Sequence, residues 1–498
     1  MSNIKTQSLS KSAAILTSAN IITTVLGFLY RIVLSRAVGS HGLGLFGLIM
    51  PVYVISCTII QTGVPTAVLR LVAQKHTTGD FWGAKLVVRT AAGVVISVSA
   101  VISAVVFFGA ERISALVGAK EAEIPLRLLA LCILITGFEN IFKSYFYAVN
   151  RIVQPAVAEI LEQSARMTPV IALSAFLPAM GRVFSVSAMV GGMIAGEFAS
   201  GFSLLLMFLF STRTIRGAQT KSLSAEIRRI ALPIVGAKLF CNSLYSVNTV
   251  LIPRRLTAYG YSPEHSVSIL GEITGMIMPL LALPFTLVGA LTTLMVPATS
   301  SGIARARGEN AGKINKALLY TAAAVLPCQA VLMALGEPLC RAVYGVEGAG
   351  KLVAALGGTV LFQAFSMILS GVLYGVDGHV SVSLVNSTGA VAEFLCLWFL
   401  TPRFGLGGYL LGCMLPPLLA FSLYVPAVKR HTGLKLHFAK RSVKPVLAAA
   451  TAFFVCRVSY AVTATKVTAA LPIAIFSGVV VYLALIVFLG IRKEWDEC

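Results

Sequence analysis

Charge is what this chain has least of. Only 12% of its 498 residues are Asp, Glu, Lys or Arg and just 19 are acidic, while 57% are hydrophobic. A soluble surface needs roughly a quarter to a third of its positions charged, so a soluble domain of this length is excluded. The six histidines lie apart, mostly near loops. There is no HExxH, no GxxxxGKS/T loop, and no Ser/His/acid set outside the apolar segments. Zinc-dependent hydrolysis, ATP-driven work and serine catalysis are thereby set aside. The nine cysteines are scattered through apolar runs without a CxxC, and they read as small buried hydrophobes rather than disulfides or metal ligands. No catalytic residue and no metal site is expected. No small-residue cleavage site follows the polar start MSNIKTQSLSK, so the first apolar segment reads as a membrane helix rather than a signal peptide.

What fills the chain is a succession of apolar segments, with a mean hydropathy of +0.87. Each is about 20 residues, enough to cross a ~30 Å hydrocarbon core as a helix. Breaks at charges, Gly and Pro give about fourteen windows, opening at 12–35 and 43–68 and closing at 442–463 and 467–491. The expected fold class is an all-α polytopic membrane protein with about fourteen transmembrane helices. No linker is long enough to be a soluble domain.

The formal charge of +21 suggests nucleic acid until its distribution is considered. Lys and Arg collect in alternate short loops, such as Arg213, Arg216, Lys221, Arg228 and Arg229, or Lys429, Arg430, Lys435, Lys440, Arg441 and Lys444. Lys143 and Arg151 fall in another of these loops. Such a bias sets topology and meets lipid headgroups. It places both termini in the cytoplasm and argues against a nucleic-acid partner.

An internal repeat organises the helices. Gly47-Leu-Ile-Met-Pro51 returns as Gly275-Met-Ile-Met-Pro279, and Tyr147-Ala-Val-Asn150 as Tyr374-Gly-Val-Asp377. Gly191, Gly192 and Gly196 return as Gly407, Gly408 and Gly412. Three matches in one order imply two pseudo-symmetric six-helix lobes, 1–218 and 219–435, sharing one orientation. Residues 436–498 add two C-terminal helices without a counterpart.

Paired bundles of this kind enclose a cavity where substrate binds and access alternates. A glycine-rich turn between the first two helices carries Arg31 and Arg36 at its entrance, and the second half repeats the feature as Arg254 and Arg255. Arginine keeps its charge in a low dielectric, and its planar fork suits a phosphate or diphosphate. The competing reading is that each one snorkels to outer headgroups. Intramembrane acids are the other candidates. Glu162 and Arg166 are spaced to pair locally, which leaves Glu159 to face the cavity together with Lys238. Glu197, Glu272 and Glu393, with Asn248 and Asn386, are the ion-coupling candidates, although buried Asn also bridges helices. Pro51, Pro65, Pro279, Pro284 and Pro297 interrupt helices two and eight.

The stretch VLGFLYRIVLSRAVGSHGLGLFGLIMPVY…GVPTAVLRLVAQ resembles the first two helices of the polysaccharide-export branch of the multidrug/oligosaccharidyl-lipid/polysaccharide exporter superfamily. NTVLIPRRLTAYGYS and LPFTLVGALTTLMVPATSSG resemble its seventh and eighth helices. The likeness extends over essentially the whole chain and is strongest to the stage V sporulation protein B and lipid II flippase group. It implies two lobes around a cationic cavity, and movement of undecaprenyl-diphosphate-linked saccharides from the inner to the outer leaflet. It also implies a groove for the lipid tail on helices thirteen and fourteen. Arg31 falls close to the family's first-helix arginine, whereas Pro279 stands where the eighth-helix arginine belongs, leaving Arg254 or Arg255 to substitute. Some relatives bind sodium through acids and Asn on helices seven and eleven; here Asn386 is present but its i+4 neighbour is Ala390.

The function expected is a flippase for lipid-linked saccharide, lipid II or a related cell-wall or spore-cortex precursor, in the bacterial cytoplasmic membrane. It would need no cofactor beyond a coupling ion, Na+ or H+, or the membrane potential. Its partners would be the lipid-linked substrate, membrane lipids and wall- or cortex-synthesis enzymes. The alternatives are a cation-coupled multidrug antiporter, a membrane enzyme, for which the loops are short, and a non-transporting scaffold for wall synthesis.

Overall fold

The computed structural model describes residues 9–173, 175–176, 181–212, 223–300, 307–432, 438–464 and 469–489. The expected cytoplasmic cations Lys5, Arg213, Arg216, Lys221, Arg305, Lys435, Arg492 and Lys493 lie outside them. Among the described residues the chain is helical, with no strand. Lipid offers the backbone no hydrogen bonds, so a helix must satisfy its own.

In chain order the first half contains α1 (Leu9–Gln61), α2 (Gly63–Thr77), α3 (Phe81–Phe108), the short α4 (Ala110–Val117), α5 (Glu123–Ala148), α6 (Val153–Leu173) and α7 (Arg182–Ser211). The second begins with α8 (Ser224–Tyr259) and α9 (Pro263–Gly271). A π-turn at Glu272–Ile277 follows, then α10 (Met278–Ala282), α11 (Phe285–Ser300) and α12 (Arg307–Tyr344). After these come α13 (Gly350–Gly357), α14 (Val360–Gly375) and α15 (His379–Leu395). A second π-turn at Cys396–Leu400 leads into α16 (Thr401–Phe404), α17 (Leu406–Thr432), α18 (Phe438–Thr463) and α19 (Ala470–Phe488).

Eleven of these helices are long and apolar enough to cross a bilayer, or twelve if the bent pair α13 and α14 is one span. The expected fourteen is not reached by that measure, for two physical reasons. The run Ser18–Thr77 counts once although it holds 60 residues, about 90 Å of helix at ~1.5 Å per residue. The expected glycine-rich turn is in fact only a kink within it, at Gly39, whose φ of 72° and ψ of 176° break the helix for one residue. The other reason is α6, which carries Glu159, Glu162 and Arg166 and so is too charged to pass. Helices two and eight are interrupted as the prolines suggest, at Thr62 ahead of Pro65 and at Leu283–Pro284.

The chain forms two compact units, Met1–Arg254 with Ser262–Gly271, and Arg255–Tyr261 with Glu272–Cys498. In the first, α7 packs on α5 and α6, α3 packs on α5, and α9 lies along α1. That last approach needs glycine, because a Cβ on Gly271 would sit 1.8 Å from the Ser40 carbonyl oxygen. Phe142, Tyr145 and Phe208 form an aromatic core, with centroids 4.8 Å apart for Tyr145 and Phe208. In the second unit α11 packs on α14 and α15 on α17. The two C-terminal helices pair with one another and dock on α12, where Leu335, Cys456 and Ala474 are fully buried. Their outer faces remain apolar and exposed, as at Phe454, Phe476 and Phe488, which is the surface a lipid-facing helix presents.

The repeat is visible in local geometry. Asn150 and Asp377 share a φ of 56°, and they are the two non-glycine residues with positive φ among those described. Each is followed by the same reach-back hydrogen bond, Arg151 N–H to Phe146 O and Gly378 N–H to Leu373 O, a helix-ending device that tolerates Asn and Asp. The glycine triplets match as well. A Cβ would be unobstructed at Gly191 and Gly407 but would strike backbone oxygens at Gly192 and Gly408, 2.6 and 2.4 Å away.

Candidate functional site

Packing of α5, α6 and α7 brings a set of charges into the first unit. Gly196 permits it: a Cβ there would lie 2.8 Å from the Glu162 carbonyl oxygen and 3.1 Å from Arg166 Cβ. With α7 drawn that close to α6, the adjacent Glu197 reaches Arg166, at 3.7 Å. Arg166 also pairs with Glu162 one turn away, as the spacing predicts. From α5, Lys143 Nζ lies 2.6 Å from Glu139 Oε1, 3.4 Å from Glu162 Oε2 and 3.9 Å from Glu159 Oε1.

Hydroxyls complete the network. Tyr53 on α1 donates to Glu197 Oε1 at 3.0 Å, Ser200 donates to Glu139 Oε1 at 2.5 Å, and Tyr147 donates to Glu159 at 3.4 Å. Burial is graded. Glu159 and Arg166 are 24% exposed, whereas Glu139 and Glu197 are 2% and 6% exposed. The arrangement is a ladder of acids from a wetted edge to a dry centre, with two cations distributed along it. Among the described residues no group of His, Cys, Asp and Glu is arranged to hold a metal ion.

Several expectations are corrected by this geometry. Glu159 is not left over, because it faces Lys143. Lys143, placed in a cytoplasmic loop by its position near a helix end, sits inside the lobe because three carboxylates surround it. Glu139 is a further member of the site, and its signal in the sequence is an i,i+4 Glu–Lys pair inside an apolar window. Tyr53 gave none.

The remaining candidates are placed as follows. Glu197 and Asn248 are buried in the first unit. Asn242, on the same helix as Asn248, donates to Thr58 Oγ1 at 2.7 Å and so bridges helices. Lys238 is exposed on α8. Glu272, Asn386 and Glu393 belong to the second unit, where Glu272 opens a π-turn and Asn386 accepts from Tyr424 OH at 3.0 Å. Arg31 and Arg36 are exposed on α1. Arg254 donates to the Leu116 carbonyl at the end of α4, a helix-capping contact. Arg255 lies flat on Trp398, 3.4 Å from the ring centroid. Stacking engages its π-face and leaves the in-plane donor fork suited to an anion. Beside α18, a cleft of about 620 Å³ is lined by Glu337, Arg341, Lys351 and Arg457 together with the apolar Met333 and Leu335.

A family model described as polysaccharide biosynthesis protein matches residues 9–303, more than half of the chain. The chain belongs to that family. It is 25% identical over 421 residues to stage V sporulation protein B of Bacillus subtilis (strain 168), covering 80% of this chain and 79% of the relative. It is 20% identical over 451 residues to lipid II flippase MurJ of the same organism, covering 84% and 82%. A solved structure of lipid II flippase MurJ in an inward closed conformation superposes with a TM-score of 0.74 at 16% identity, covering 95% of this chain and 98% of that one. This family member therefore shares the fold of that solved flippase. It is a multi-pass membrane protein.

Proposed function

We propose that the protein flips an undecaprenyl-diphosphate-linked saccharide, lipid II or a related wall or spore-cortex precursor, across the bacterial cytoplasmic membrane by alternating access. The observation that carries this reading is the match over four-fifths of the chain to stage V sporulation protein B and to a named lipid II flippase. The chemistry supports it. Arg31, Arg36 and Arg255 are guanidinium groups in a chain otherwise poor in charge, and a diphosphate is the anion that their donor fork fits. The exposed apolar faces of α18 and α19 offer a polyprenyl tail a path within lipid. Wall- or cortex-synthesis enzymes are the partners such a role brings, and the bias of Lys and Arg to alternate loops supports cytoplasmic termini.

A drug/cation antiporter is the second reading, favoured by the surplus of carboxylates in the first unit. A leaflet-accessibility assay separates the two. Vesicles containing the purified chain should expose labelled lipid II on the far leaflet, and Arg31→Ala with Arg255→Ala should slow this by at least tenfold. Extrusion of cationic dyes with no movement of lipid II would establish the antiporter instead.

A further inference from the structure

The ladder in the first unit does not balance its own charge. Its carboxylates are Glu139, Glu159, Glu162 and Glu197, and its cations are Lys143 and Arg166. Three helices bring titratable groups to Glu197. Helix α5 contributes Glu139, Lys143 and the thiol Cys132, and α6 contributes Glu159, Glu162 and Arg166. Helix α1 contributes Tyr30, Arg31, Tyr53 and Cys57. Among the described residues, even with Arg31 counted, the acids exceed the cations by one. An uncompensated carboxylate in the middle of a membrane helix is costly.

The deepest residue shows where the imbalance falls. Glu197 Oε1 accepts from Tyr53, but Glu197 Oε2 is fully buried and has no hydrogen-bond partner among the described residues. Ser200 and Gly201, one turn on from Glu197 on the same face of α7, both meet Glu139: Ser200 donates to Glu139 Oε1 at 2.5 Å, and a Cβ on Gly201 would lie 3.6 Å from Glu139 Cβ, so the two carboxyls share one side of the α5–α7 contact. Two ionised carboxylates are both acceptors and repel, so the two bond only when a proton lies between them.

We propose that Glu139 and Glu197 share one exchangeable proton and that this pair is the coupling-ion site of the transporter. On loading, a proton from water forms an O–H bond on one carboxyl, which donates to the other carboxylate, and the surplus negative charge falls by one. On release the same O–H bond breaks and the proton returns to water past Glu162, Lys143 and Glu159, the part-exposed members of the ladder. Lys143 and Arg166 hold the remaining carboxylates in place. The assignment to coupling rests on the transport reading above, whereas proton binding does not.

The test is infrared difference spectroscopy of the purified full chain in lipid, without substrate. The wild-type protein should keep a protonated-carboxyl C=O band at neutral pH. Glu197→Gln and Glu139→Gln should each abolish the band, and Glu159→Gln should retain it. No such band in the wild type overturns the proposal without reference to any variant. Survival of the band in both glutamine variants overturns it too, as does its loss on adding sodium at constant pH, which would assign the site to a metal ion. In vesicles, a proton gradient should raise wild-type flipping several-fold and leave Glu197→Gln unaccelerated; an equal response of the two overturns the coupling role. A wild type that keeps the band but moves no lipid-linked saccharide contradicts the flippase reading alone.

Discussion

Replacing Lys143 with alanine removes the ammonium that lies 2.6 Å from Glu139, 3.4 Å from Glu162 and 3.9 Å from Glu159. Among the described residues, Arg166 is then the one cation still paired with the ladder's four carboxylates. Glu139 is only 2% exposed, so water cannot take the place of its lost partner. Leaving one member of a buried ion pair costs about 3–5 kcal/mol. The Ser200 hydroxyl still donates to Glu139 at 2.5 Å, which places the expected loss near the lower limit, about 3 kcal/mol. The Lys75–Asp80 pair has a comparable separation of 3.0 Å but is 39% and 42% exposed, so Lys75→Ala should cost less than about 1 kcal/mol. Thermal unfolding of the purified chain, followed by size exclusion after heating, should show a midpoint roughly 6–12 °C lower for Lys143→Ala, at ~2–4 °C per kcal/mol for a unit of this size. Lys143→Met combined with Glu139→Gln should recover most of that loss, because neither charge is then stranded. A midpoint for Lys143→Ala no lower than that of Lys75→Ala would refute the claim that this network is dry and cohesive.

Two further predictions follow from local geometry. Gly192→Ala places a Cβ 2.6 Å from the Arg166 carbonyl oxygen, whereas Gly191→Ala meets nothing within 4 Å; the first should reduce folded yield on size exclusion and the second should not. Asp80 caps α3 by accepting from Gly83 N–H at 2.8 Å, and this bond, followed by Lys75, holds its carboxyl below the usual range. A depressed folded-state value means that the stabilisation is present above the ordinary carboxylate range and is lost as pH falls through the folded value. Asp80→Ala should therefore cost about 1 kcal/mol at neutral pH, read as faster hydrogen exchange at the start of α3, and the difference from wild type should vanish in acid.

The sequence conveyed some of this more directly than the rest. The repeat was legible because helix-ending and helix-crossing residues cannot vary freely. Asn150 and Asp377 occupy a left-handed backbone, and Gly192 and Gly408 sit against carbonyl oxygens. The Glu162–Arg166 pair was legible because its partners share one helix face. Lys143 was misread because cations near helix ends usually set topology, and only the tertiary packing of α5 against α6 and α7 places three acids around it. Tyr53 was invisible for the same reason, since it meets Glu197 across 144 positions of sequence. The paired arginines of the sequence separated into different roles: Arg254 caps α4 and Arg255 stacks on Trp398. A turn expected after Arg36 became a kink because Gly39 alone takes up the change of direction.

The central claim is that this chain moves a diphosphate-linked lipid saccharide between leaflets. Its most direct test is the rate at which labelled lipid II, placed in one leaflet of vesicles containing the purified protein, becomes accessible from the other. The account predicts transfer well above that of protein-free vesicles and lost in the Arg31→Ala, Arg255→Ala double variant. Transfer no faster than in empty vesicles, for lipid II and for other undecaprenyl-linked glycans alike, would contradict it.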